Sequence, residues 1–98
     1  MIYKVKARET IASLVAAVGL TATYLPPTSR DTLFAIVQAI GGDVRFTVEG
    51  TTPVAATTGH RLVEDGTVEL WGAEMTDFLA IDDGGTAELE VTYYGSGQ

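Results

Sequence analysis

Apolar and polar positions alternate most cleanly over residues 43–49. Val44, Phe46 and Val48 point one way, and Asp43, Arg45, Thr47 and Glu49 point the other. Successive side chains of a strand lie on opposite faces, so this alternation predicts a strand with one buried and one wet face. Gly41-Gly42 precedes it, and Gly50 follows, with Pro53 closing the second turn. Glycine supplies the backbone freedom that tight turns need. The same period predicts further strands. Over residues 2–7, Tyr3, Val5 and Ala7 share one side and Ile2, Lys4 and Lys6 the other, an edge-type strand whose lysines deter stray pairing. Residues 67–71 place Val68 and Leu70 inward, and residues 78–81 form a short strand. Residues 86–94 place Ala87, Leu89, Val91 and Tyr93 inward and Glu88, Glu90 and Thr92 outward.

Residues 32–40 are apolar on both faces, with Leu33, Ala35 and Val37 against Phe34, Ile36 and Ile40. Their β-branched and aromatic content and the glycines after them predict a strand covered on both sides. The second cover is either the other sheet of a sandwich or another subunit. This strand is expected to pair antiparallel with residues 43–49 across Gly41-Gly42.

The intervening segments are read from their punctuation. Residues 9–18 fit either a short helix near 10–17, capped by Thr10, or a loop. Residues 18–24 are expected to be a strand with Val18, Leu20, Ala22 and Tyr24 on one face. Pro26-Pro27 marks residues 25–31 as a loop. Residues 54–60 read as an irregular surface segment or weak edge strand. Residues 72–76 read as a loop or a single helical turn. Asp82-Asp83-Gly84-Gly85 has the chemistry of a hairpin turn. About seven short strands, with turn signals roughly every 8–12 residues, predict an all-β fold: an antiparallel β-sandwich (jelly-roll-like) or barrel. A single domain is expected over residues 1–98, with a flexible tail at 95–98.

Composition narrows what such a domain does. Apolar residues are 46% of the chain and charged residues 19%, a globular balance. A 98-residue sandwich has a thin core that assembly would supplement. The absence of cysteine excludes disulfides and thiolate chemistry. A net charge of −7 repels phosphate backbones and argues against nucleic-acid binding. Lys4, Lys6 and Arg8 before the apolar run 11–20 mimic a signal peptide, but Glu9 interrupts and the run is too short to span a bilayer. A protein made in the cytoplasm, without membrane contact, is expected.

Reactive constellations are sparse. His60 is the sole histidine, and a lone histidine without cysteine is a poor metal set. No serine sits in a Gly-x-Ser-x-Gly elbow. The many carboxylates lack the cleft a glycosidase needs, and Asp82-Asp83 lacks the calcium-loop pattern, leaving at most a weak calcium site at a subunit junction. No enzyme activity, cofactor or metal is expected. Candidate contact residues remain. Trp71 and Tyr94 share parity with outward positions, as does Arg45, whose plain role is a cross-strand pair with a carboxylate. Trp71, Tyr93 and Tyr94 could also form a stacking platform for sugars. His60, after Gly59, is the fourth contact candidate, its plain role being a turn residue.

Three stretches carry a resemblance. They are Gly42-Asp43-Val44-Arg45-Phe46-Thr47-Val48-Glu49-Gly50-Thr51-Thr52-Pro53 with Thr58-Gly59-His60-Arg61-Leu62, then Phe78-Leu79-Ala80-Ile81, then Ala87-Glu88-Leu89-Glu90-Val91-Thr92-Tyr93-Tyr94. Together they resemble small β-rich proteins encoded among tailed-bacteriophage and prophage structural genes. The resemblance spans residues 33–94 and stops before residue 30. It implies a non-enzymatic virion component, a capsid decoration (cement) protein or related head accessory. Its partners would be the major capsid protein or another virion protein and copies of itself, a trimer being one form. The alternative is a carbohydrate-binding or host-surface-binding β-sandwich module of a phage particle.

Overall fold

The computed structural model describes residues 2–84 and 86–97. Among them are seven strands: β1 (Tyr3–Ile11), β2 (Thr32–Ile40), β3 (Val44–Thr47), β4 (His60–Leu62), β5 (Thr67–Trp71), β6 (Leu79–Asp82) and β7 (Glu88–Ser96). They form two antiparallel sheets, ordered β1-β7-β2-β5 and β4-β3-β6. The chain is therefore all-β and sandwich-like. Ala35, Val37 and Ala39 of β2 and Leu89, Val91 and Tyr93 of β7 are fully buried. They share one core with Val44, Phe46 and Ala80 of the smaller sheet. Burying a side chain of the size of Val, Leu or Phe stabilises by about 1.5–3 kcal/mol. The central pair of the larger sheet thus carries much of the core.

Both expected hairpins are instead crossings between sheets. β2 pairs with β5 and β7, whereas β3 pairs with β4 and β6. Gly41, at φ +78°, reverses the chain and hands it to the opposite sheet. The chain changes sheets again between β6, which ends at Asp82 in the small sheet, and β7, which begins at Glu88 in the large one; Gly85 lies outside the described residues. A positive φ bends the chain but does not choose which strand edge it meets next. β7 and β5 already fill both edges of β2, so β3 has no edge of β2 left to pair with.

The segment between β1 and β2 also departs from expectation. No helix forms over 10–17: β1 runs on to Ile11, and an irregular path follows in which Leu14 is buried. Residues 18–24 are not a strand. Val18 makes one isolated antiparallel bridge to Ala80, with both hydrogen bonds at 2.9 Å, and Ala22–Tyr24 is a single 3₁₀ turn. Apolar side chains here anchor a covering segment instead of extending a sheet. Among the described residues the one α-helix is α1 (Ala73–Asp77), a short turn with Met75 buried. Gly95 and Ser96, expected in a tail, complete β7, and the Gly97 N–H donates to the Ile2 carbonyl at 2.8 Å. Gln98 lies outside the described residues.

β1 contains the irregularity that matters most for the surface. Val5 pairs with Tyr94, yet Ala7 pairs with Tyr93, so Lys6 is an extra residue in a bulge. One inserted residue reverses which face the side chains meet. Tyr3 and Val5 therefore stand on the outer face, while Ala7, Glu9 and Ile11 turn inward. The single shared face expected for Tyr3, Val5 and Ala7 is corrected by that bulge.

Candidate functional site

The outer face of the larger sheet carries a row of apolar side chains from edge to edge. Cross-strand pairing aligns Val5, Tyr94, Phe34 and Trp71 on β1, β7, β2 and β5. The Phe34 ring stacks between its neighbours, 4.3 Å from Trp71 at 16° and 4.8 Å from Tyr94 at 6°. Tyr3 meets Phe34 and Trp71 edge-on at 5.1 and 6.0 Å. The stacking distances are close to the spacing of adjacent strands, about 4.8 Å. The three parallel rings therefore stand upright on their strands and show edges to the outside. Phe34 is buried beneath this cluster, but Trp71 is 42% exposed, Tyr3 44% and Val5 53%. Aromatic pairs of this geometry contribute about 0.5–1.5 kcal/mol each beyond area burial. Trp71 is fixed further: its Nε1–H donates to Glu69 Oε1 at 3.0 Å, and its backbone N–H donates to Glu74 Oε1 at 2.9 Å. The sequence parity of Trp71 and Tyr94 correctly places both outward. Phe34 and Tyr3 complete the site.

Polar residues continue the face beyond the rings. Arg8 Nη2 donates to Glu90 Oε1 and Thr10 Oγ1 donates to Glu90 Oε2, each at 3.0 Å. The Arg8 hydrogen bond, then that of Thr10, holds the Glu90 carboxyl below its ordinary range.

Tyr93 belongs to the other side of the sheet and cannot join Trp71 and Tyr94 in a platform. Its hydroxyl donates to Glu9, which also accepts from Thr21 Oγ1 at 2.6 Å and Thr21 N–H at 3.3 Å. Tyr24 packs against the Tyr93 ring at 5.0 Å. Burial, then the Glu9 hydrogen bond, pushes the Tyr93 hydroxyl well above the ordinary tyrosine range. This network latches the covering segment onto β1 and β7. The inward turn of Glu9 has no alternation signal of its own, because it follows from the bulge.

Arg45 and His60 lie on the smaller sheet. Arg45 Nε donates to Asp83 Oδ2 and its Nη1 to the Gly59 carbonyl, both at 3.2 Å. Its cross-strand neighbour Arg61 donates from Nη2 to Asp43 Oδ2 at 2.5 Å, and its Nε lies 3.8 Å from Asp83. The free oxygens are also used: Ala56 N–H donates to Asp83 Oδ1 at 2.6 Å and Glu64 N–H to Asp43 Oδ1 at 2.8 Å. The Arg61 hydrogen bond holds the Asp43 carboxyl below its ordinary value, and Asp43 in turn raises Arg61. Gly59 completes the clamp. It has φ +112°, and a Cβ there would stand 2.8 Å from the Phe46 carbonyl oxygen. Arg45 thus has the plain role expected of it, inside a four-charge clamp that folds the 54–59 loop against β3. His60 is exposed on β4 with its ring 5.5 Å from Phe46.

A cavity of about 230 Å³ opens beside Ser13, Leu14, Asp82, Thr86 and Glu88. Among the described residues no three His, Cys, Asp or Glu side chains group closely enough to hold a metal ion, and no helix is long and apolar enough to cross a membrane. The four contact candidates separate accordingly: Trp71 and Tyr94 come together on one face, and Arg45 and His60 lie on the other sheet. Compared with known proteins, the chain matches no family model, no curated protein and no solved structure.

Proposed function

We propose that this chain is a non-catalytic virion structural protein, a capsid decoration protein that binds the capsid lattice as a homo-oligomer. The observation that carries the reading is the outward aromatic row. Three rings locked side by side, with Trp71 and Tyr3 more than two-fifths exposed, form a rigid apolar surface of the kind that protein interfaces use. The resemblance of residues 42–62, 78–81 and 87–94 to phage structural proteins supplies the biological setting.

Co-sedimentation with capsids that lack this protein tests the reading. The native chain is expected to pellet with them, and Trp71→Ala combined with Tyr94→Ala to stay in the supernatant. A chain that is monomeric at high concentration and ignores capsids would refute it. The alternative, a glycan- or host-surface-binding module, draws on the exposure of Trp71 at a sheet edge. Upright rings offer a sugar little flat platform, which favours the protein-contact reading. Titrating glycans against Trp71 fluorescence separates the two, since a saturable response to a sugar is expected only of the alternative.

A further inference from the structure

We infer that the occupant of the aromatic face is a second copy of this chain, seated face to face about a two-fold axis that runs along the strands between β7 and β2. The inference rests on the reading of this face as an assembly contact and names its partner.

The row next to the rings carries the argument. Pairing aligns Arg8, Thr92, Ile36 and Glu69 across β1, β7, β2 and β5. A cation therefore stands at one edge of the face and an anion at the other, with small or apolar residues between. The Arg8 side chain is 66% exposed although its Nη2 donates to Glu90, and Glu69 is exposed with one oxygen accepting from Trp71, so each keeps polar atoms open to a partner. A two-fold axis along the strands exchanges β1 with β5 and β7 with β2. It sets Arg8 of each copy opposite Glu69 of the other. The same operation lays ring row on ring row, with Val5 opposite Trp71 and Tyr94 opposite Phe34. A two-fold axis across the strands, with ring row still on ring row, would instead lay β1 on β1 and β5 on β5 and carry the Arg8 row onto the Tyr3 row, so that Arg8 and Glu69 never meet. Like-charge juxtaposition disfavours an interface and opposite charges fix its register. The face is thus complementary to itself in charge about the in-plane axis that runs along the strands. An isologous pair of this kind closes and does not polymerise.

Sedimentation velocity over a concentration series, read together with Trp71 emission, tests the pairing. The native chain is expected to dimerise, with the emission of its sole tryptophan moving to shorter wavelength as the dimer forms. Arg8→Glu and Glu69→Arg are each expected to weaken the dimer about tenfold or more, because each sets like charges together. The double variant is expected to dimerise more tightly than either single variant, because it exchanges the two signs across the face, but less tightly than the native chain, because the carboxylate introduced at position 8 stands beside Glu90. Thermal melts by circular dichroism identify any variant whose monomer has lost its fold; for such a variant, Arg8→Ala or Glu69→Ala replaces the charge reversal and is expected to weaken the dimer less. A monomer at every concentration, a trimeric mass, single variants that dimerise like the native chain, or a folded double variant no tighter than the single ones would each overturn the inference. Capsid binding that needs Trp71 in a chain that never dimerises would overturn this pairing and leave the capsid contact of the proposed function standing. A dimer that obeys the charge exchange but ignores capsids would do the reverse.

Discussion

The two sheets of this domain turn very different faces outward. On the smaller sheet, Arg45, Arg61, Asp43 and Asp83 neutralise one another and use their remaining oxygens on backbone N–H groups. On the larger sheet, Trp71, Phe34 and Tyr94 stack side by side with Tyr3 against them and remain open above. The charged face is chemically conspicuous but spent on holding a loop. The aromatic face is chemically inert but unspent. A charged residue on an outward strand position is therefore a weak guide to a contact surface until its partners are known, and Arg45 illustrates this.

Breaking the charged face should have the largest effect on the fold. The Asp83 side chain is only 6% exposed and serves two guanidinium groups and one backbone N–H. Asp83→Ala strands a largely buried Arg45, and removing one partner of a buried pair costs about 3 kcal/mol. Urea unfolding should show a correspondingly lower midpoint, and hydrogen exchange should show early opening of residues 54–59. An unchanged midpoint would mean that the clamp contributes nothing. The latch between the faces comes next. Tyr93→Phe removes one hydroxyl hydrogen bond to Glu9 and should cost about 1–2 kcal/mol. Its pH signature is specific. The Tyr93 hydroxyl is raised in the fold, so its contribution is complete below the ordinary tyrosine value of 10.0 and is lost as pH rises beyond it, where only the unfolded chain ionises. Native stability should fall above pH 10, and the phenylalanine variant should fall less steeply.

The aromatic face should behave in the opposite way. Trp71→Ala removes a partly exposed ring with two ring contacts, to Phe34 and Tyr3, and should lower stability by about 2 kcal/mol. The same change should abolish assembly, read as mass by light scattering. A variant that keeps its mass would move the contact surface elsewhere. The smallest effect belongs to Asp43→Asn. The Asp43 carboxyl is depressed by Arg61, so its contribution is present above the ordinary value of 3.8 and is lost as pH falls through its lowered value. Near neutrality the variant should differ little, but its stability should fall less steeply than the native chain's below pH 4.

Much of this was legible in the sequence, in identifiable places. Strict alternation located β3, β5 and β7, although Thr47, expected on the wet face of β3, is buried; the doubly apolar run located β2. The second apolar face of that run was the available signal for Phe34, which is flanked by the Tyr3, Trp71 and Tyr94 rings of its own sheet. Pairing was not legible, because Gly41-Gly42 and Asp82-Asp83-Gly84-Gly85 specify a reversal without specifying a destination. The path of residues 12–31 was hidden for another reason. Leu14, Leu20 and Leu25 are buried one at a time by an irregular backbone, which leaves no period to read. Tyr3 was hidden by the bulge at Lys6, since parity counts fail wherever one strand gains a residue.

The pairing of β1 with β7 begins at Tyr3 and Ser96 and is extended by the Gly97 to Ile2 hydrogen bond. Both ends of the described chain therefore leave from the same corner of the sheet. A mechanical load applied between them would pull directly on the outermost rung and open the ladder like a zipper, one rung after another, instead of shearing all rungs together. Force spectroscopy with handles at residues 2 and 97 should meet far less resistance than with handles at residues 2 and 88, a geometry that loads the same two strands lengthwise.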